Sequence, residues 1–365
     1  MTTTDLLPAI LGGPKAFPDG LPLVRPTIPG IPALAARLQT ILESGMLTNG
    51  RTVRELEERA AELLDVPHVV ALSSCTAGLM LTYQALGVRG PVVMPSFTFA
   101  ASAHAVHWAG GTPVWAEVRR QDLTLDPADA AEQVAACGAV ALSATHIYGT
   151  PCQVEDLQTV ADSAGIPLVY DAAHALGSRR AGRPVGGFGA AEVFSMSPTK
   201  VTTAGEGGLV ATRDADLAAR LRIGRDYGNP GSYDCEFPGL NARMSELHAA
   251  IALAGLDTVA ERVAYRGELV AVFRAEAGRL RPDQPRARCG PQGGGHRLAP
   301  LLRAAHPPAE GLRAPAPHPR AADHRRDGRP GPHSPALQPH DDRAGQDPGG
   351  RGGADRLEFP RRTQL

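Results

Sequence analysis

Residues 31–278 predict an α/β fold in three layers, with a mainly parallel sheet between helices. Two observations carry this. Apolar residues recur at helical spacing in the first segments, and short apolar strand candidates then alternate with helical stretches. Such alternation implies parallel strands covered by helices on both faces.

The elements follow in order. Segments 31–44 and 52–65 read as helices, the second carrying Val53, Leu56, Ala60, Leu63 and Leu64 at helical spacing. A strand at 68–72 precedes a helix at 76–86, 91–94 precedes 99–109, and 112–116 precedes 127–135. A strand at 139–144 precedes a helix at 154–164, and a strand at 167–170 follows. Segments 193–196 and 208–212 add two more strands, and a helical stretch from Arg243 to about Gly278 leads outward. The chain divides into an N-terminal arm (1–30), a large domain (31–245), a helix leading away from it (246–278) and a tail (279–365). The tail holds no Ile, Val, Met, Tyr or Trp, and Phe359 is its only aromatic residue. It cannot bury enough apolar surface to offset its conformational entropy, so it is expected to be disordered.

Composition removes several function classes. A net charge of -1 gives no reason to expect a nucleic-acid or membrane partner. Acidic residues interspersed in the Arg-rich tail, and its lack of stacking aromatics, argue against an RNA-binding arm. No apolar run approaches the roughly 20 residues of a membrane span, and no basic-then-apolar leader opens the chain. Cys75, Cys137, Cys152, Cys235 and Cys289 are scattered without a C-x-x-C pair, which argues against a zinc or redox site. A cytoplasmic protein with free thiols is expected.

Lysine is the rare residue. The chain is rich in arginine, yet only Lys15 and Lys200 occur, as though arginine served wherever any positive charge suffices. Lys200 is then a candidate for a position where a primary amine is required, with chance survival as the alternative.

Four segments carry candidate chemistry. Ser73-Ser74-Cys75-Thr76-Ala77-Gly78 joins a strand to a helix and suits a phosphate through backbone N–H groups and the Thr76 hydroxyl. Thr76 as a plain helix cap explains the same residues. Asp171 follows an apolar strand at the carboxyl edge of the sheet, where α/β ligands bind. Its carboxylate can pair with a pyridinium nitrogen or cap the next helix. Ser195 ends a strand, Lys200 stands on the following turn, and Gly205-Glu206-Gly207-Gly208 lets backbone approach closely. A lysine so placed can form a Schiff base and move a substrate proton. Met94-Pro95-Ser96-Phe97-Thr98-Phe99 offers a flat ring at another strand end, where an aromatic is otherwise ordinary core. Gly186-Gly187-Phe188-Gly189 lacks the spacing of a nucleotide loop and reads as a turn.

In this order the segments resemble the DegT/DnrJ/StrS family of sugar aminotransferases, within the fold-type I pyridoxal phosphate (PLP) enzymes. The resemblance runs from about Leu11 to about Gly278 and includes Asp171-Ala172-Ala173-His174, Ser197-Pro198-Thr199-Lys200 and Gly239-Leu240-Asn241-Ala242-Arg243. It implies that Lys200 links to the cofactor aldehyde and shuttles the substrate proton, while Asp171 pairs with the ring nitrogen. It further implies that Phe99 stacks on the ring, with Ala173 and His174 at its other face and edge, and that Thr76, Ala77 and Ser195 bind the phosphate. Asn241 is implied to reach the phosphate of a second subunit, making a homodimer. Cys75 stands where many relatives have Gly, with little harm expected because the backbone N–H does the binding. Lysine rather than histidine at position 200 favours transamination over sugar dehydration. The implied reaction moves an amino group from glutamate or glutamine to a nucleotide-linked keto-deoxysugar or aminocyclitol precursor. Leu11-Gly12-Gly13-Pro14 and Phe17 resemble enzymes serving natural-product pathways.

Beyond Gly278 the family's small domain is not recognisable. Codons permitted for 279–303 and 323–343, read one nucleotide later, can spell its apolar segments in the right order. A change of reading frame near Gly278 is therefore expected, and resequencing the gene tests it. Poor folding or loose cofactor binding, with low turnover, would follow. Two other readings stay open: a different fold-type I activity such as a lyase or dehydratase, and an inactive PLP-fold partner protein.

Overall fold

The computed structural model describes residues 24–279 apart from 233, together with 17, 20 and 22. The tail beyond 279, the Leu11–Pro14 motif and the expected frame change lie outside the described residues.

The helices are α1 (Ile31–Ser44), α2 (Arg51–Leu64), α3 (Cys75–Ala85), α4 (Ala100–Trp108), α5 (Pro127–Cys137), α6 (Val154–Ala164), α7 (Ala215–Gly224), α8 (Glu246–Leu256) and α9 (Val259–Arg279). The strands are β1 (His68–Leu72), β2 (Pro91–Pro95), β3 (Thr112–Ala116), β4 (Ala141–Thr145), β5 (Leu168–Asp171), β6 (Arg179–Arg180), β7 (Arg183–Pro184), β8 (Ala191–Ser195) and β9 (Gly208–Thr212). Seven strands form the main sheet in the order β1-β9-β8-β5-β4-β2-β3. Every neighbouring pair is parallel except β1 with β9 and β8 with β9, so β9 alone runs backwards. The predicted mainly parallel, three-layer fold is what forms.

Strand alternation explains the layers. In β1, Val69 and Ala71 join a core with α2 and α8, while Val70 and Leu72 join one with α3, α4 and α7. Val93 of β2 turns to a third cluster with α5 and α6, while Val92 and Met94 face the α3–α4 side. Both faces of the sheet are thus dry, as crossover helices require.

Three features differ from the sequence reading. The stretch expected from Arg243 to Gly278 is two helices. Ser245 caps the first by accepting from the Leu247 N–H at 3.2 Å, and Arg243 instead bridges to Leu72. Helix α7 and the β6–β7 hairpin were not anticipated. For α7 the signal is present: Asp214 accepts from the N–H groups of Asp216 and Leu217, ahead of buried Leu217, Ala218 and Leu221. Asp171 closes β5 rather than following it, because the ladder pairs it with Thr145 and Val193.

Helix α2 is preceded at its cap position by Gly50, which has no side chain to cap it. Glu246, 2 % exposed, supplies the cap from α8. Its Oε1 accepts from the N–H groups of Gly50 (2.8 Å) and Val53 (2.9 Å), and Oε2 accepts from Thr52 (2.8 Å). A negative charge there also complements the helix dipole. Glu246→Ala strands three buried donors and is expected to cost at least about 3 kcal/mol. A fall in the urea midpoint at unchanged slope measures it, with Glu246→Gln falling less because one acceptor remains.

Candidate active site

The carboxyl ends of the parallel strands converge on one cavity of about 480 Å³. Residues from six places line it, with Thr145 and Ile147 contributed at the end of β4. Ser74, Cys75 and Thr76 come from the start of α3, Phe99 from the start of α4, and Asp171, Ala173 and His174 from the end of β5. Ser195, Ser197, Thr199 and Lys200 follow β8, and Glu206 precedes β9. Strand carboxyl ends are where open α/β sheets bind ligands.

The β1–α3 junction settles one open alternative. Ser74, not Thr76, is the helix cap, its Oγ accepting from the Ala77 N–H at 3.1 Å. Thr76 is freed from capping and lines the cavity, whereas Ala77 spends its N–H on the cap and does not line it. The N–H of Thr76 is one of the donors a helix start leaves without an intrahelical acceptor. Gly208 explains how β9 passes this helix mouth. A Cβ there would sit 2.4 Å from Ser74 C and 2.5 Å from Cys75 N, so only glycine fits. Cys75 points inward, its thiol donating to Val193 O at 3.6 Å. Burial pushes that thiol up, Asp171 adds to the effect, and the Lys200 charge opposes it, so it stays protonated.

Asp171 is 4 % exposed and fixed on both oxygens. Oδ1 accepts from the Ala173 N–H at 3.0 Å and Oδ2 from the Ser102 hydroxyl at 2.6 Å. Ser102 is fully buried behind the cavity wall and was missed by sequence reasoning. Lys200 is held on its turn by its backbone N–H, which donates to Ser197 O at 3.1 Å.

His174 is half-buried with its tautomer set by structure. Its Nδ1 accepts from the Tyr148 N–H at 3.2 Å, so a proton on Nε2 completes the neutral ring. The Tyr148 ring lies parallel to it at 5.9 Å, and Tyr148 adopts φ 52°. The next residue must be glycine, because a Cβ on Gly149 would meet His174 O at 2.9 Å. Burial pushes His174 below the ordinary histidine range, Lys200 adds to this, and Asp171 works against it. The folded value therefore lies below the unfolded one near 6.5. The unfolded chain takes up the proton first, so stability is present above that value and lost as pH falls towards the folded one. His174→Gln is expected to shrink the drop in urea midpoint between about pH 7 and about pH 5.

Of the predicted site residues, the cavity gathers Thr76, Phe99, Asp171, Ala173, His174, Ser195 and Lys200. Phe99 is 73 % exposed, so it is no core residue. Asn241 is exposed, bridges to Asp226 and stands outside the cavity of its own chain. A primary amine, a buried carboxylate and a helix mouth with hydroxyls face one space, which is chemistry for a carbonyl, a basic nitrogen and an anion together.

Known proteins carry the same plan. A model of the DegT/DnrJ/EryC1/StrS aminotransferase family matches residues 32–288. The dTDP-4-amino-4,6-dideoxy-D-glucose transaminase of Escherichia coli is 30% identical over 256 residues, covering 70% of this chain and 69% of that protein. The GDP-perosamine synthase of Caulobacter vibrioides (strain ATCC 19089 / CIP 103742 / CB 15) is 35% identical over 236 residues, 63% of each chain. The crystal structure of DesI in the presence of its TDP-sugar product superposes with a TM-score of 0.65 at 46% identity, covering 69% of this chain and 64% of that one. The chain thus spans less than two thirds of the length of two of these three relatives.

Proposed function

Because the chain belongs to the DegT/DnrJ/EryC1/StrS aminotransferase family, we propose that it moves an amino group from glutamate or glutamine to a nucleotide-linked keto-deoxysugar. The observation that carries this reading is Lys200 and Asp171 facing one cavity at the carboxyl edge of the sheet. The dTDP-sugar transaminase, the GDP-perosamine synthase and DesI, crystallised in the presence of its TDP-sugar product, support the substrate class.

The family is PLP-dependent, and the donor set fits that cofactor. Lys200 offers an amine to the aldehyde, Asp171 a carboxylate to the ring nitrogen, and the start of α3 with Thr76 and Ser195 offers donors to the phosphate. Phe99, Ala173 and His174 would flank the ring. When bound, the cofactor supplies an electron sink for negative charge at the reacting carbon. The chain's own part is to hold it and to move protons. Lys200 Nζ would carry the proton to and from the reacting carbon of the substrate, and Asp171 would keep the ring nitrogen charged. Neutral His174 keeps an N–H to offer the cavity.

Asn241, exposed and outside its own cavity, suits a contribution to a second copy in a homodimer. Among the described residues no helix is long and apolar enough to cross a membrane. The free cysteines suit a reducing cytoplasm. Such a reaction would supply amino-deoxysugars, or aminocyclitols, for natural products, antibiotics among them, or for cell surfaces.

The test incubates the full chain with cofactor, a nucleotide-linked keto-deoxysugar and glutamate or glutamine, then follows the sugar by mass spectrometry. Replacement of the oxo group by an amino group, dependent on the donor, is the expected result. Loss of water from the sugar without amination would favour a dehydratase, and cofactor binding without any turnover an inactive partner protein.

A further inference from the structure

We propose that Thr145, Thr98 and Ser102 form a one-way hydroxyl relay that fixes the Asp171 carboxylate, which makes Ser102 a positioning residue of the site. This rests on the reading of the cavity given above. Ser102 has no exposed surface and does not line the cavity, so it acts through Asp171.

The direction of the relay follows from the carboxylate at its end. Ser102 Oγ donates to Asp171 Oδ2 at 2.6 Å. A hydroxyl has one hydrogen, so in the 2.9 Å contact between Ser102 and Thr98 it is Thr98 that donates. With that hydrogen spent, the 2.9 Å contact between Thr98 and Thr145 is Thr145 donating. Each link polarises the next in the same sense.

The relay is anchored on separate elements. Thr145 ends β4 and pairs in register with Asp171. Thr98 lies just ahead of α4, and Ser102 sits in its first turn. Around Ser102 the helix reads Ala100, Ala101, Ala103 and Ala105, so a hydroxyl here departs from a run of alanines. A buried hydroxyl without an acceptor for its hydrogen is costly, and the acceptor Ser102 has is the carboxylate. With Ala173 N–H on Oδ1 and Ser102 on Oδ2, the carboxylate plane is held and its remaining lone pairs are left for the cavity.

The test titrates the full chain with pyridoxal phosphate and with its 1-deaza analogue, in which carbon replaces the ring nitrogen. Both ligands offer the same aldehyde and phosphate, and only the first offers Asp171 a nitrogen. The parent chain is expected to prefer pyridoxal phosphate. Ser102→Ala is expected to cut that preference about tenfold, Thr98→Val by less, and Ser102→Thr to restore it. Equal weakening of both ligands by Ser102→Ala, or no change in either, would overturn the relay. A parent chain with no preference would remove the cavity reading itself, and the relay with it.

Discussion

Replacing Lys200 by alanine is expected to lower donor-dependent amination by about 10⁴-fold or more, whatever rate the parent chain shows. Within the cavity Lys200 is the primary amine, and the chain's other lysine, Lys15, lies far away in sequence. Loss of the amine removes both the covalent tether to the aldehyde and the group that carries the proton between carbons. Lys200→Arg separates these roles from charge. It keeps a cation beside Asp171 and His174 but supplies neither a nucleophilic amine nor a group that gives up its proton near neutral pH. Arginine should therefore be nearly as damaging as alanine, with rates read from the mass-spectrometric assay. A variant within tenfold of the parent would mean that the proton moves elsewhere.

Asp171→Asn is expected to lower the rate by about 10³-fold while leaving the fold intact. The asparagine oxygen can still accept the Ala173 N–H, and the side chain keeps its shape within β5. What it loses is the negative charge that holds a proton on a ring nitrogen. Comparing kcat with KM distinguishes the two roles. A fall confined to kcat marks a group needed in the transition state, whereas a rise in KM alone would mark Asp171 as a binding residue only.

Much of the fold was legible because it is written in local periodicity. The strands at 68–72, 112–116 and 208–212 form with the expected limits, since each is a short apolar run flanked by turn residues. Lys200, Asp171 and Thr76 were legible as residue types at strand ends. What the sequence could not reveal are pairings between distant residues. Ser102 and Asp171 are 69 positions apart, and Glu246 caps α2 by accepting from Gly50, 196 positions earlier. No spacing rule connects such residues before the sheet order is known. Local chemistry also misled in one place. Ser74 and Thr76 are both fit to cap α3, and only the backbone course gives the cap to Ser74 and leaves Ala77 without a free N–H. The stack of Tyr148 on His174 depends on a left-handed tyrosine that the residue type does not announce.

The most direct test of the account is to load the purified full-length chain with pyridoxal phosphate, reduce it with borohydride and map the modified peptide. With only two lysines in the chain, the readout is clean. A pyridoxyl group on Lys200, absent from Lys200→Ala, is the expected result. A label confined to Lys15 or the N-terminal amine, or no label at all, would contradict it.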